Sequence, residues 1–166
     1  MSDVHAPEAR ARNMRAIRAR DTKPELAVRK ILHRLGFRFR LHVRALPGTP
    51  DIVFPKHKAV ILVHGCFWHG HRCHMFKVPG TRTDFWLSKI SANQKRDRAA
   101  LLALAAAGWR VLTIWECALK GPTRLTPEDL AQLSASWLLS DAPTCELGPD
   151  GLREEYGSSD PASEVQ

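Results

Sequence analysis

The residues best able to do chemistry lie together in one run, residues 64–74, which reads HGCFWHGHRCH. The run contains four histidines and two cysteines, and Cys117 follows further along the chain. Thiolate and imidazole are the ligands that zinc prefers, and three cysteines with one histidine make a closed tetrahedral site with no open position. These residue types therefore indicate a structural zinc centre.

The spacing leaves open which histidine completes the set. We favour His71, but the spacing is not that of a common zinc finger, and His69 and His74 remain competitors. The alternative is a solvated histidine-rich loop with incidental cysteines. The first residues lack the basic-then-apolar pattern of an export signal, so we expect a protein of the cytoplasm and nucleoid, where metal ligation is a better expectation than disulfides. Cys145 stands alone, and we expect no role for it.

The elements on either side of this run predict how its ligands meet. Residues 58–63 and 110–115 have the composition of buried strands, and residues 84–107 form a helix between them. The strands of such a β-α-β unit are normally parallel. Cys66 and Cys117, each just past the end of one strand, should therefore meet at one edge of the sheet.

A predicted hairpin brings a carboxylate to the same edge. Residues 51–54 pair with residues 58–63 across a turn at residues 55–57. This pairing places Asp51 opposite Ile61 or Leu62 and close to Val63 and His64. A helix from Thr22 to Gly36, a strand over residues 37–43 and a last helix from Thr126 to about Ser140 complete the predicted elements.

Charge divides the chain into a basic body and an acidic end. Residues 1–140 carry 24 Lys and Arg against 10 Asp and Glu, whereas residues 141–166 carry 1 against 7. A basic body suits a polyanion such as DNA, although the same charges could merely solubilise helix faces. No apolar run approaches the roughly 18 residues of a membrane span.

We predict a single α/β domain with two appendages. Residues 1–21 form a basic N-terminal arm that contacts DNA, and residues 22–140 form a domain in which helices flank a central mixed sheet of about four strands. Residues 141–166 are acidic and rich in Ser, Pro and Gly, so we expect them to be disordered.

Several segments resemble the very-short-patch repair endonucleases, in order and with unchanged spacing. The segments are residues 13–17, 46–48, 50–51, 64–69, 76–79, 108–112 and 115–117. The resemblance runs from about residue 3 to residue 140 and implies a restriction-endonuclease-like α/β core with a structural zinc. It also implies Mg²⁺-dependent hydrolysis of one DNA strand, 5' of the T in T·G mismatches left by deaminated 5-methylcytosine.

The resemblance implies roles for individual residues. Asp51 and the main-chain carbonyl of Val63 would hold Mg²⁺; threonine is familiar at position 63, but a carbonyl ligand tolerates valine. His69 would transfer a proton near the scissile phosphate. The residues implied to support the site are His64, Asp97 and Glu25. The implied zinc ligands are Cys66, His71, Cys73 and Cys117.

The residues alone have plainer explanations. Asp51 follows a proline and could be a turn residue, and Glu25 could be the acid of a capping box. Asp97 could be a surface charge on a helix, and His64 could end a strand.

The aromatic residues and the basic arm suggest how a mismatch is recognised. The family inserts side chains into the duplex beside the poorly stacked pair, and the matching residues are Met14, Phe67, Trp68 and Trp86. Core packing is the alternative, which we prefer for Trp109 and Trp115.

The expected partner is double-stranded DNA with a T·G mismatch. A mismatch-repair matchmaker and a cytosine methyltransferase are further partners implied by the family, and we expect a monomer because a nick needs one active site. Two other classes fit some features: a non-catalytic zinc DNA-binding module, and a restriction-type nuclease on the same core.

Overall fold

Six strands and three α-helices make up residues 20–155, the part of the chain that this computed structural model describes. The helices are α1 (Lys23–Arg34), α2 (Thr83–Ala106) and α3 (Pro127–Leu139). The strands are β1 (Arg40–Leu41), β2 (Ile52–Phe54), β3 (Ala59–His64), β4 (Arg110–Trp115), β5 (Cys145–Gly148) and β6 (Gly151–Glu154). Short 3-10 turns occupy Pro55–His57 and Glu116–Ala118. No helix in this part of the chain is long and apolar enough to cross a membrane.

The strands form one mixed sheet in the order β1-β2-β3-β4-β5-β6. β3 pairs in parallel with β4, and β4 with β5, whereas the other neighbours are antiparallel. The predicted mixed sheet and the parallel β3-α2-β4 unit are confirmed, although the sheet has six strands rather than about four. The 3-10 turn at Pro55–His57 joins β2 to β3, where the hairpin turn was predicted.

Two helices begin as their sequences predict. Thr22 caps α1 by accepting the Glu25 N–H, and Thr126 caps α3 by accepting the Asp129 N–H. Proline occupies the first turn of both helices, where its missing N–H costs nothing. These caps fix the starts of the two helices that cover one side of the sheet.

Helices pack on both faces of the sheet, as predicted. Val28 and Leu32 of α1 and Trp137 of α3 share one core cluster with Ile61 and Ile114 of the sheet. On the opposite face, the core cluster contains residues of α2 and of three strands: Leu104, Val53, Val60, Leu62 and Val111. The strands β2 and β3 are therefore buried on both faces, which explains their continuous apolar runs.

The predicted strand over residues 37–43 is much shorter in the structure. Only Arg40–Leu41 pairs, with Ile52 and Val53 of β2. His42 ends the strand because its φ of 49° lies in the left-handed region, which is incompatible with an extended ladder. Phe37 and Phe39 precede β1 and still pack against the core cluster beneath α1.

The acidic end of the chain is part of the sheet. The prediction that residues 141–166 are disordered is wrong for residues 141–155, and residues 156–166 lie outside the described residues. Cys145 and Leu147 alternate with polar residues and are 3% and 0% exposed, so β5 buries one face although its composition is acidic. The folded domain therefore extends past residue 140, through β6. Of the predicted arm, only residues 20 and 21 are described.

Candidate active site and metal centre

Asp51 and Val63 meet where β2 begins and β3 ends. The pairing of Ile52 with Ile61 places Asp51 opposite Leu62, as the hairpin predicted. Asp51 Oδ2 accepts a hydrogen bond from the Val63 N–H at 2.8 Å. The N–H and C=O of one strand residue point to the same side, so the Val63 carbonyl faces the side on which Asp51 lies. Carboxylate and carbonyl oxygens are the donors that Mg²⁺ prefers, so these two groups fit that ion.

The surroundings of Asp51 leave its charge incompletely balanced. The pKa of its carboxyl group is raised to about 6, mainly by burial and to a smaller extent by the nearby Glu25. The Val63 N–H, His42 and Arg29 lower this pKa but do not cancel the effect of burial. A metal ion at this carboxylate would add positive charge and so favour the ionised form.

Two histidines lie stacked at the end of β3. The rings of His64 and His69 are parallel within 1°, with centroids 3.8 Å apart. His69 Nδ1 lies 2.6 Å from Asp97 Oδ2 on α2, which leaves Nε2 of His69 as the free ring nitrogen. Burial, and then the neighbouring His69, lowers the pKa of His64 to about 3. His64 is therefore uncharged at neutral pH, and Asp97 orients its stacking partner.

Helix α2 holds the histidine loop against the sheet edge. Asn93 Nδ2 donates to the Trp68 carbonyl at 2.9 Å. Gly70 has a φ of 62°, and a Cβ at that position would lie 2.9 Å from Ile90 Cγ2 and closer still to Gln94. Only glycine allows the loop to approach α2 so closely. This contact fixes the position of His69, one residue earlier.

Glu25 lies beside Asp51 and is more than a capping residue. It is 2% exposed, and its Oε2 accepts the Asp21 N–H at 3.0 Å and Arg29 Nη2 at 2.9 Å. His42 Nε2 lies 3.7 Å from the same oxygen. The contacts of Asp21, Arg29 and His42 were not predicted from the sequence. An acid and an arginine four apart on a helix were a signal for Arg29, whereas nothing in the spacing marked His42.

One open groove of about 860 Å³ connects these groups. The predicted site residues that line it are Glu25, Asp51, Val63, His64, Trp68, His69 and Asp97. Arg20, Arg44 and Lys89 also line it, although their sequence context did not mark them. Acidic and imidazole groups thus share the lining of the groove with three basic side chains, a composition that suits a phosphodiester.

The cysteine cluster lies next to the groove and could hold a metal ion. The ligand atoms of Cys66, His71, Cys73 and Cys117 lie within 4.8 Å of one another. His71 Nδ1 is 3.5 Å from Cys66 Sγ and 3.6 Å from Cys117 Sγ. Tetrahedral zinc places a sulfur and a nitrogen ligand about 3.6 Å apart. The predicted meeting of these four side chains is therefore observed, and their spacing fits zinc.

The competing histidines do not join this cluster. His69 is paired with Asp97, and His74 is absent from the group that meets at the cysteines. Burial raises the pKa of Cys117 to about 11 and also raises that of Cys66, so these two thiols are neutral without a metal.

Trp115 stacks on His71 with ring centroids 4.1 Å apart, and its indole N–H donates to Glu146 on β5 at 3.0 Å. Trp115 thus supports the cluster, in keeping with the packing role preferred for it.

Three of the predicted wedge residues form an aromatic cluster beside the groove. Phe67 contacts Trp68 and Trp86 with ring centroids 5.2 and 5.7 Å apart. All three side chains are half-buried, so each keeps an exposed edge. Met14 lies outside the described residues. Trp109, for which core packing was preferred, packs against the core cluster on the α2 face.

Comparison with known proteins identifies the family. Residues 2–75 match the family model described as DNA mismatch endonuclease Vsr. The chain is 45% identical over 152 residues to DNA mismatch endonuclease Vsr of Escherichia coli, covering 92% of this chain and 97% of that relative. The chain belongs to the Vsr family. The resemblance that the motifs indicated is thereby confirmed.

Other relatives of this Vsr-family protein are nicking enzymes. Type II nicking enzyme V.XorIIP of Xanthomonas oryzae pv. oryzae is 53% identical over 119 residues, which is 72% of this chain and 88% of the relative. Type II nicking enzyme V.NmeAIP of Neisseria meningitidis is 43% identical over 120 residues, which is 72% of this chain and 86% of the relative. These Vsr-family relatives support an endonuclease that acts on DNA.

Proposed function

We propose that this protein is a Mg²⁺-dependent mismatch endonuclease that nicks one DNA strand 5' of the T in a T·G mismatch arising from deaminated 5-methylcytosine. The observation that carries the proposal is the joint position of Asp51 and of the His69–Asp97 pair in one groove. Vsr-family membership supports it, because the relatives are named as a mismatch endonuclease and as nicking enzymes.

Asp51 and the Val63 carbonyl would hold the catalytic Mg²⁺. Asp51 Oδ2 is already engaged by the Val63 N–H, which leaves Oδ1 for the ion. When bound, Mg²⁺ neutralises phosphate charge and stabilises the attacked phosphoryl group and the leaving oxygen. A main-chain carbonyl is present whatever the side chain, so Val63 can serve as a ligand where threonine is familiar in the family.

His69 would handle the proton. Its Nδ1 is engaged by Asp97 at 2.6 Å, so its Nε2 can exchange a proton with water or with an oxygen of the scissile phosphate. His64 stacks on His69 and stays uncharged at neutral pH because burial lowers its pKa. The His64 ring therefore holds the His69 imidazole in position and does not compete with it for the proton. Glu25 also lines the groove.

The groove and its aromatic neighbours suit distorted DNA. Arg20, Arg44 and Lys89 would pair with phosphates on either side of the scissile bond. Phe67, Trp68 and Trp86 would enter the duplex beside the mismatch, with Met14 of the N-terminal arm doing so from the minor groove. A T·G pair opens at a lower cost than a matched pair, so insertion favours the mismatch.

We further propose that Cys66, His71, Cys73 and Cys117 hold a structural Zn²⁺. Four ligands leave no open position, so the ion would fasten the histidine loop to the end of β4 rather than act on DNA. The mixed sheet with its acidic site at one edge supports a restriction-endonuclease-like core. The zinc ion would therefore also hold His69 in position, because His69 lies in the same loop.

The biological setting is an expectation from the family. We propose that the protein acts as a monomer in the cytoplasm, at the nucleoid. Its substrate is double-stranded DNA with a T·G mismatch, and a mismatch-repair matchmaker and a cytosine methyltransferase are proposed partners. One groove per chain is sufficient for a single-strand nick, which supports the monomer.

A strand-specific nicking assay tests the proposed function. Duplexes that differ only in a central T·G or C·G pair are incubated with Mg²⁺ and either wild type or Asp51→Ala. We expect a Mg²⁺-dependent nick on the T strand alone, absent in the variant. Binding without cleavage in every sequence context would indicate a non-catalytic DNA-binding module. Cleavage of both strands of matched DNA would indicate a restriction-type nuclease.

A further inference from the structure

Three side chains beside Asp51 have the spacing of a metal site but surround an arginine. The ligand atoms of Asp21, Glu25 and His42 lie within 4.8 Å of one another. Arg29 Nη2 lies 2.8 Å from Asp21 Oδ1 and 2.9 Å from Glu25 Oε2. It also lies 2.9 Å from His42 Nε2. The guanidinium group of Arg29 therefore occupies the position that a metal ion would take between these three side chains.

The contact with Arg29 determines where the ring proton of His42 lies. His42 Nε2 also lies 3.4 Å from Asp21 Oδ1, an oxygen that can only accept. The contact with Arg29 is the shorter of the two, and a guanidinium nitrogen can donate but cannot accept, so it favours His42 Nε2 as the acceptor. The neutral ring then carries its hydrogen on Nδ1. His42 Nδ1 is the ring nitrogen that faces the Asp51 carboxylate, 4.0 Å from its Oδ1. This separation exceeds a hydrogen bond, so the interaction is that of an N–H dipole with a nearby carboxylate.

His42 holds the backbone of Asp51 as well. The His42 N–H donates to the Asp51 carbonyl at 3.2 Å. His42 has a φ of 49°, and its side chain is only 14% exposed. A left-handed conformation at a mostly buried non-glycine residue persists only where its surroundings enforce it. Here the contacts to Arg29 and Asp51 enforce it, so the geometry of His42 is built around this site.

We propose that Arg29 and His42 are positioning residues for the divalent cation at Asp51. Arg29 fixes the tautomer of His42, and the Nδ1–H of His42 orients Asp51 Oδ1 into the groove. The inference rests on the proposed function, because it takes Asp51 as the cation ligand. A neutral histidine suits this task, since its dipole stabilises the carboxylate without the full positive charge that would repel a cation.

Two substitutions separate the two contacts of His42. The amide of asparagine occupies the position of Nδ1, so His42→Asn keeps an N–H beside Asp51 and loses the acceptor for Arg29. The amide of glutamine reaches the position of Nε2, so His42→Gln keeps the acceptor and loses the N–H. His33→Gln is the matched control, because His33 is exposed on α1.

The experiment measures cation binding directly, besides activity. Mn²⁺ is titrated into zinc-loaded full-length protein without DNA, and free Mn²⁺ is followed by electron paramagnetic resonance. Loss of a group that orients a metal-binding carboxylate costs about 10–100-fold in affinity. We expect His42→Gln to weaken Mn²⁺ binding by about tenfold or more and to raise the Mg²⁺ concentration for half-maximal nicking equally. The KM for DNA and the melting temperature without Mn²⁺ should stay at wild-type values, and His42→Asn should lose less affinity.

Wild-type Mn²⁺ affinity in His42→Gln, or equal losses in His42→Gln and His42→Asn, would overturn the inference. A loss of affinity that follows the melting temperature in both variants would show a merely structural role and would also overturn it. Asp51→Asn distinguishes this failure from failure of the proposed function. If Asp51→Asn abolishes Mn²⁺ binding while His42→Gln does not weaken it, only the inference fails. If wild type binds no Mn²⁺, both fail.

Discussion

His69 Nδ1 lies 2.6 Å from Asp97 Oδ2, which joins the histidine loop to α2 at the wall of the groove. Asparagine at position 97 can offer an N–H to the imidazole and so reverse its tautomer. We expect Asp97→Asn to lower the single-turnover nicking rate by about 10²–10⁴-fold, the range of a lost proton-transfer group. The KM for DNA should not change. Asp84→Asn, in the exposed first turn of the same helix, is the control. A wild-type rate in Asp97→Asn would show that His69 needs no carboxylate partner.

Much of the site could be predicted because it depends on local signals. Apolar runs located β3 and β4, with α2 between them, and parallel pairing then brought Cys66 and Cys117 to one sheet edge. The hairpin likewise placed Asp51 beside Val63. These elements were predictable because each is specified by residues close together in sequence.

Two features could not be predicted, for different physical reasons. The strands β5 and β6 are only four residues each. The alternation of buried and polar residues in β5 was too short to outweigh an acidic composition, and β6 contains no buried residue. The contact between Arg29 and His42 joins a helix to a residue that leaves a strand in a left-handed turn. No spacing in the sequence encodes that contact, since it depends on how α1 packs on the sheet.

Removing the metal from the cysteine cluster should loosen the histidine loop. We expect one Zn²⁺ per chain by elemental analysis, and a lower melting temperature with slower nicking after chelation, because the binding energy of a structural metal is also folding energy. Cys66→Ser should lose the zinc. Cys145→Ser should keep it, since Cys145 is buried in β5 away from the cluster. Equal zinc contents in the two variants would refute the ligand set.

Leu147 tests whether the acidic end of the chain belongs to the domain. Its side chain is 0% exposed, and it packs in the core cluster with residues of α1 and α3. We expect Leu147→Ala to lower the free energy of unfolding by about 2–5 kcal/mol, as buried leucines do. Leu139→Ala is the matched control because Leu139 is 70% exposed. Denaturant unfolding measures both, and equal stabilities would contradict a structural role for β5.

Asp51 should destabilise the Mg²⁺-free protein at neutral pH. Burial raises the pKa of its carboxyl group to about 6 from its ordinary value of 3.8. The folded state therefore binds the proton more tightly, so this group's contribution to stability is greatest below pH 4 and is lost as the pH rises to 6. We expect Asp51→Asn to raise the melting temperature at pH 7 and to differ less from wild type at pH 4. Thermal melts without Mg²⁺ check this, with the exposed Asp150→Asn as control. A lower melting temperature at pH 7 would argue against an unfavourable buried charge.

Trp68 should matter for discrimination rather than for folding. It is half-buried at the edge of the groove, its carbonyl accepts a bond from Asn93, and Lys89 Nζ lies 5.4 Å from its ring centroid. Alanine keeps that backbone hydrogen bond but removes the ring that would stack in the opened duplex. Stacking of a base on an aromatic side chain contributes about 1–3 kcal/mol. We expect Trp68→Ala to reduce the ratio of T·G to C·G nicking by about tenfold or more, the factor that 1.4 kcal/mol represents. The melting temperature should change little. Single-turnover rates on the two duplexes give the ratio, and Trp109→Phe, at the opposite end of β4 from the loop, should leave it unchanged. Equal losses on both duplexes would show that Trp68 supports binding without reading the mismatch.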